Sequence, residues 1–326
     1  MKPGKLPQGL HHLGAVVRMK EPVEILKGLF FCERGFLNAN HFVLTRPYKA
    51  LIDTGYLTCL EQTEKILNSL GVKFSQVRLI VSTHTHSDHI GGNRTIQKAS
   101  NCRVALHPLG RKFMERKDSR SPWWSYYGHK AEFFSADLTL HDRDMLSLGD
   151  HEFMVIHTPG HAADGICLYN PKEKLLISSD ALWENDLAAM TPLVEGEDCV
   201  IKARQSLESL GRLEVGLVCP GHGPCFKNAP KALVKADRRL KSYLKDPEKM
   251  ARDQIKRIFI FTLMMLNNPL RQDFVQHLKS VPWFQETVDR YFNGEYEPVK
   301  RDILEELKKR GLIAEKQNRL FSTIRP

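Results

Sequence analysis

Leu79-Ile80-Val81-Ser82-Thr83-His84-Thr85-His86-Ser87-Asp88-His89 decides how the rest of this chain is read. It opens as a short continuous apolar run, as a largely buried strand does. It ends with three imidazoles and a carboxylate within six residues, which a solvated polar loop would not need. Zinc accounts for such a set, because it takes neutral imidazole and carboxylate in roughly tetrahedral geometry. In an extended or turn segment, His84 and His86 can point to one side and grip one metal. Asp88 and His89 are offset and can reach a second.

Further donors follow other apolar runs. His161 closes His157-Thr-Pro-Gly-His161, Asp180 follows Leu175-Leu-Ile-Ser-Ser179, and His222 sits in Cys219-Pro-Gly-His222-Gly223. Asp53 ends the run Ala50-Leu-Ile52. Loops leaving one edge of a sheet can converge although distant in sequence. A carboxylate such as Asp180 could then bridge two ions about 3.5–4 Å apart, the spacing of two-metal hydrolases. Gly91, Gly92, Gly160, Gly221 and Gly223, beside the donors, permit tight turns and close backbone approach. Taken alone, His161 or His222 would more often be a satisfied histidine, and Asp180 a turn residue. Four donor segments in order are a different matter.

From about Gly14 to Asn170 the pattern is strand-rich, with helices between, and further strand runs follow before Pro230. Phe42–Leu44 and Ala50–Ile52 flank a turn at Pro47. Cys59–Leu70 has helical spacing, closed by Gly71. Val104–Leu106, Phe153–Ile156, Leu175–Ile177 and Leu217–Cys219 read as strands, and Asp198–Leu210 as a helix. Residues Gly110–Leu140 read as irregular, with Trp123-Trp124-Ser125-Tyr126-Tyr127 at their middle. The pattern predicts an α/β fold, an αββα sandwich rather than a doubly wound sheet. After Pro230 strand runs stop and helical patterns dominate to Arg310. Leu312-Ile-Ala and Leu320–Ile324 then flank a polar turn, like the hairpin of a winged helix. The expected organisation is a catalytic domain over residues 1–230 and a small helical, winged-helix-like domain over 231–326.

The order HxHxDH, then His, Asp and His, resembles the metallo-β-lactamase-fold hydrolase superfamily over roughly Gly14 to Pro230. The resemblance implies that His84, His86 and His161 bind a first zinc. It implies that Asp88, His89 and His222 bind a second, that Asp180 bridges both, and that Asp53 supports the metal loop from behind. It further implies a metal-activated water that attacks a carbonyl or phosphorus, with Asp88 accepting or relaying its proton. Zinc is the default metal; iron or manganese can occupy similar His/Asp sites. Family members often carry Gly before the bridging Asp, where this chain has Ser179. Flavodiiron proteins replace ligands of the run with acids, which is not the case here. True β-lactamases usually carry a cysteine at the second metal and a signal peptide, so antibiotic hydrolysis is not the expected role.

Composition bounds the rest. The chain has 326 residues, 42% hydrophobic and 26% charged, which excludes disordered and fibrous classes. Seven cysteines without a CxxC pair argue against a disulfide scaffold. The longest apolar run, Ile258–Leu266, is too short to span a membrane, and core packing is its expected use. Met1–Pro7 has no secretory h-region, so a cytoplasmic location is expected. Of the net charge of +10, most belongs to residues 231–326, with 21 Lys+Arg against 13 Asp+Glu. That excess is a solvated helical surface, or a footprint for RNA or a CoA phosphate.

Trp123, Trp124, Tyr126 and Tyr127 are candidates for the wall of a substrate pocket, the alternative being core packing or a subunit contact within a homodimer. Two functions stand side by side. The preferred one is a hydrolase of a small thioester, ester or lactone. The other is a phosphodiesterase acting on single-stranded nucleic acid, whose binding would weaken steeply with salt.

Overall fold

The computed structural model describes residues 20–324. The N-terminal segment Met1–Pro7 and the expected start of the strand region at Gly14 lie outside the described residues. Among the described residues, one sheet carries β1 (Val23–Leu26), β2 (Leu29–Cys32), β3 (His41–Leu44), β4 (Lys49–Ile52), β5 (Val77–Val81), β6 (Arg103–Leu106) and β7 (Leu138–Thr139), in that order. A second carries β8 (Met145–Leu148), β9 (His151–His157), β10 (Ile166–Asn170), β11 (Leu175–Ser179) and β12 (Leu217–Pro220), in the order β12-β11-β10-β9-β8.

Alternating side chains explain the layering. Phe42, Leu44 and Ile52 point inward and meet Phe153, Val155, Leu168 and Ile177 of the facing sheet. Val43, Leu51 and Ile80 point outward, against Ile66 and Leu67 of α1 (Leu60–Ser69). Short α2 (Ser87–Ile90) and α3 (Asn93–Ser100) follow β5. α4 (Pro108–Arg116) and α5 (Trp124–Tyr127) follow β6, so part of the stretch expected to be irregular is helical. Pro108 takes the first helical position of α4, where its missing N–H costs nothing, and His107 caps the helix by accepting from Leu109 N. α6 (Pro192–Glu195) and α7 (Cys199–Leu210) come after β11, and α8 (Ala229–Lys245) after β12. Leu207 and Leu210 of α7, with Ala232, Ala236 and Leu240 of α8, cover the outer face of the second sheet at Leu176 and Val218. The αββα sandwich is thereby complete.

α9 (Pro247–Met265), α10 (Arg271–Ser280), α11 (Pro282–Phe292) and α12 (Tyr296–Lys309) precede the antiparallel hairpin β13 (Ile313–Lys316) and β14 (Arg319–Ser322). Their core joins Ile255, Phe259 and Leu263 of α9 to Phe274, Trp283, Ile303 and Leu320. No helix among the described residues is long and apolar enough to cross a membrane.

β4, β5 and β6 run parallel, as do β11 and β12. β9 runs in the direction of β11, since each is antiparallel to β10. Within each sheet, the chain therefore leaves these strands at the same end, and that is where the donor segments lie.

Candidate metal centre

Asp53 follows β4, His84 to His89 follow β5, His161 follows β9, Asp180 follows β11 and His222 follows β12. The loops meet. Ligand atoms of His84, His86 and His161 lie within 4.8 Å of one another; so do those of His84, His89 and Asp180, and those of Asp88, His89 and His222. Asp180 stands at the centre: its Oδ2 is 3.3 Å from His161 Nε2, 3.6 Å from His89 Nε2 and 3.9 Å from His222 Nε2. Asp88 Oδ2 is 3.2 Å from His222 Nε2. His86 Nδ1 faces His161 Nε2 at 3.0 Å. The inward nitrogens His84 Nε2 and His89 Nε2 are buried and have no hydrogen-bond partner within the protein. Orphaned buried nitrogens are costly unless something else satisfies them, and a divalent cation suits this mixed imidazole and carboxylate set.

A family model described as "Metallo-beta-lactamase superfamily" matches residues 35–222, which contain all seven donors. The chain belongs to that superfamily. Acyl-coenzyme A thioesterase MBLAC2 of Homo sapiens is 30% identical over 163 residues, 45% of this chain and 57% of that protein. A hydroxyacylglutathione hydrolase of Maricaulis maris is 30% identical over 118 residues, 36% of this chain and 39% of that protein. The aligned region thus spans little more than half of the first and less of the second. A metallo-beta-lactamase family protein of Thermus thermophilus shares the fold, with a TM-score of 0.59 and 20% identity, over 91% of this chain and 99% of that one.

The outward ring nitrogens of this superfamily member's histidines are also placed. His89 Nδ1 meets Asp53 Oδ2 at 2.8 Å, and His161 Nδ1 meets the Ala189 carbonyl at 2.7 Å. His222 Nδ1 lies 3.3 Å from the Gly35 carbonyl. His84 Nδ1 lies 3.3 Å from Thr83 Oγ1 and 3.4 Å from Ser179 Oγ. Ser179 has φ of 46°, a left-handed conformation that glycine adopts freely. The serine bears that strain and turns its hydroxyl to Thr83 Oγ1, 2.7 Å away.

Burial, then the neighbouring imidazoles, hold His84 and His86 well below the ordinary histidine pKa. Burial also lowers His161, against the pull of Asp180. Burial opposes charge on His89 too, but Asp53, Asp180 and Asp88 outweigh it and raise its pKa well above the usual value. His222 is raised in the same way by Asp180 and Asp88. Burial would raise Asp88 and Asp180; the facing imidazoles prevail and lower both.

A cleft opens over His86, Asp88, His161, Asp180 and His222. Its walls are Phe36, Trp123, Trp183, Ala188, Ala189, Ile258 and Phe261, with His129 and Arg257. Of the four aromatic residues expected at a substrate pocket, Trp123 lines this cleft. The other three are corrected by the structure. Trp124 turns into the layer beside Phe133 and donates to the Thr85 carbonyl at 3.0 Å. Tyr126 and Tyr127 are buried against the C-terminal helices. Ile258 and Phe261, expected as core alone, lie one helical turn apart on α9 and also face the cleft. Trp183 and Phe36 also line the cleft, and as single aromatic residues outside any motif they carry no signal in one sequence.

Proposed function

We propose that this chain is a two-zinc hydrolase of small acyl thioesters. The observation that carries the reading is the convergence of seven donors from four loops beneath an apolar-walled cleft. The relatives, an acyl-coenzyme A thioesterase and a hydroxyacylglutathione hydrolase, favour a thioester over an ester, a lactone or a phosphodiester. His84, His86 and His161 would hold one cation, Asp88, His89 and His222 the other, and Asp180 both. When bound there, two divalent cations would polarise a carbonyl and bring the pKa of water toward neutrality.

The chain's own side chains supply the rest. Phe36, Trp123, Trp183, Ile258 and Phe261 take the acyl portion out of water. Asp88, at the cleft and held low in pKa, accepts the proton of the attacking water. The C–S bond breaks, and that proton passes to the departing sulfur to give acid and thiol. The one C-terminal cation lining the cleft among the described residues, Arg257, and its neighbours Arg239 and Lys256 are already held by carboxylates, which offers a nucleic-acid substrate little. Arg239 and Arg257 pair with Asp186, and Lys256 pairs with Asp253 and Glu306.

The experiment is a hydrolysis screen of zinc-loaded protein over thioesters, esters, lactones, phosphodiesters and short RNA, with bound metal measured alongside. Thioesters should be cleaved fastest, and H86A and D180A should lose both metal and turnover. Undiminished thioester cleavage by metal-stripped protein would overturn the reading.

A further inference from the structure

We infer that Glu195 is a positioning residue that fixes His86 as a metal ligand and holds Trp123 over it. The inference rests on the metal-site reading above and adds a residue outside the seven donors.

His161 Nδ1 donates to the Ala189 carbonyl at 2.7 Å, so its lone pair lies on Nε2 and faces the cluster. His86 turns Nδ1 toward that same atom at 3.0 Å. Two nitrogens sharing one cation must both present lone pairs, so the proton of His86 belongs on Nε2. That nitrogen is buried and has no hydrogen-bond partner. The group facing it is the carboxyl of Glu195, whose Oε1 stands 3.8 Å away. This is longer than a hydrogen bond, yet short for two groups whose side chains are 5% and 4% exposed.

Glu195 is itself fixed. Its Oε1 accepts from Trp123 Nε1 at 2.6 Å, and its Oε2 accepts from the backbone N–H of Ala163 at 2.7 Å. One bond therefore orients a cleft wall; the other ties down the turn that carries His161. The Trp123 ring lies across His86, with centroids 3.8 Å apart and 31° between planes, and stands edge-on to His161 at 4.8 Å. Trp123 takes φ of 71°, a conformation disfavoured for a bulky residue, which the surrounding contacts must hold.

The segment bearing Glu195 is anchored from the C-terminal helices. Gln254 of α9 donates to the Tyr127 hydroxyl at 2.8 Å, and that hydroxyl meets Thr191 Oγ1 at 2.7 Å. Thr191 precedes α6, and its carbonyl accepts from Glu195 N at 2.9 Å. Residues 189–195 thus orient two histidines: His161 through the Ala189 carbonyl, His86 through Glu195.

The test compares E195Q and W123F by zinc affinity in a chelator competition, with thermal unfolding as the folding control. A carboxylate that orients a ligand is typically worth 10–100-fold in metal affinity. E195Q should lose affinity in that range, whereas W123F should stay within about threefold and show its effect in substrate KM. Unchanged zinc affinity in E195Q overturns the inference. So does an equal loss in W123F, because Glu195 would then act only by packing the tryptophan. Should E195Q not fold, nitrogen-15 spectra of the zinc-loaded wild-type protein decide. A His86 Nε2–H resonance protected from exchange supports the inference, and zinc bound through Nε2 sinks it. The zinc-affinity and nitrogen-15 readouts do not depend on turnover, so a protein that passes them and cleaves no thioester defeats the proposed substrate and leaves Glu195 in its role.

Discussion

Asp53 Oδ2 lies 2.8 Å from His89 Nδ1, with both side chains buried at the junction of β4 and the loop after β5. The same carboxylate accepts from Thr83 N at 2.8 Å and Thr83 Oγ1 at 2.7 Å. It therefore shapes the loop and directs the lone pair of His89 inward. Asp53 has φ of 57°, tolerable for an aspartate that bonds locally. D53A would strand the Thr83 donor and the His89 imidazole. We expect zinc affinity at the second site to fall about 10–100-fold. Chelator competition checks this, and a second site of wild-type affinity would show that Asp53 is only a loop brace.

The two halves of the cluster should load differently with pH. In the metal-free protein His89 and His222 are raised above the ordinary histidine value, so near neutrality a cation must displace protons from them. His84, His86 and His161 are lowered and already neutral. Below the raised pKa values, affinity for the second cation should climb about tenfold per pH unit for each proton displaced, while the first changes little. Calorimetric titrations at two pH values in two buffers count those protons. Equal proton release in both steps would contradict the assignment.

The donor set was legible because its chemistry is dense in sequence: His84 to His89 sit at the mouth of a buried strand, and glycines mark the other loops. The wall of the cleft was not. Successive residues on a helical turn point about 100° apart, so four aromatic residues between Trp123 and Tyr127 cannot all face one site. Trp123 faces it, and the others serve the core. Glu195 left no trace, since a lone glutamate at the end of a four-residue helix has no spacing to read. Its role comes from Trp123 and Ala163, 72 and 32 residues away.

Gly221 is required by its neighbour. A Cβ built there would stand 2.1 Å from Asp180 Oδ1 and 3.0 Å from the Ser179 backbone carbon. The backbone cannot retreat easily, because Gly221 N donates to the Ser179 carbonyl at 2.7 Å and the Gly221 carbonyl accepts from Asn40 N at 2.6 Å. G221A should displace the shared carboxylate, reduce bound zinc to one equivalent or less and cost about 1–3 kcal/mol of stability. Elemental analysis of the folded variant is the check. Two equivalents of zinc would mean that the loops part without moving Asp180.

Phe36 offers a substitution outside the donor set. Half-buried, it lines the cleft with its ring 6.3 Å from that of His222. On the proposed reading of the cleft, F36A removes apolar contact that substrate and transition state would share equally. Thioester KM should rise about five- to tenfold with kcat nearly unchanged. An equal fall in kcat would instead place Phe36 close to the reacting carbonyl.

Asp164 is a buried carboxyl outside the seven donors, packed against Gly110, where an added Cβ would come within 2.6 Å of its Oδ2. Burial pushes its pKa up from 3.8 to about 6. The folded protein therefore holds a proton between about pH 4 and pH 6 that the unfolded chain has released. Stability falls as pH rises through that window and then levels off. Two units correspond to on the order of 3 kcal/mol. D164N keeps the shape and removes the titration. In metal-free protein, its stability should match wild type below pH 4 and exceed it by up to that amount above pH 6. Denaturant unfolding at pH 4 and pH 7.5 measures the difference, and a D164N protein no more stable at the higher pH would show that the buried carboxylate is better satisfied than its surroundings indicate.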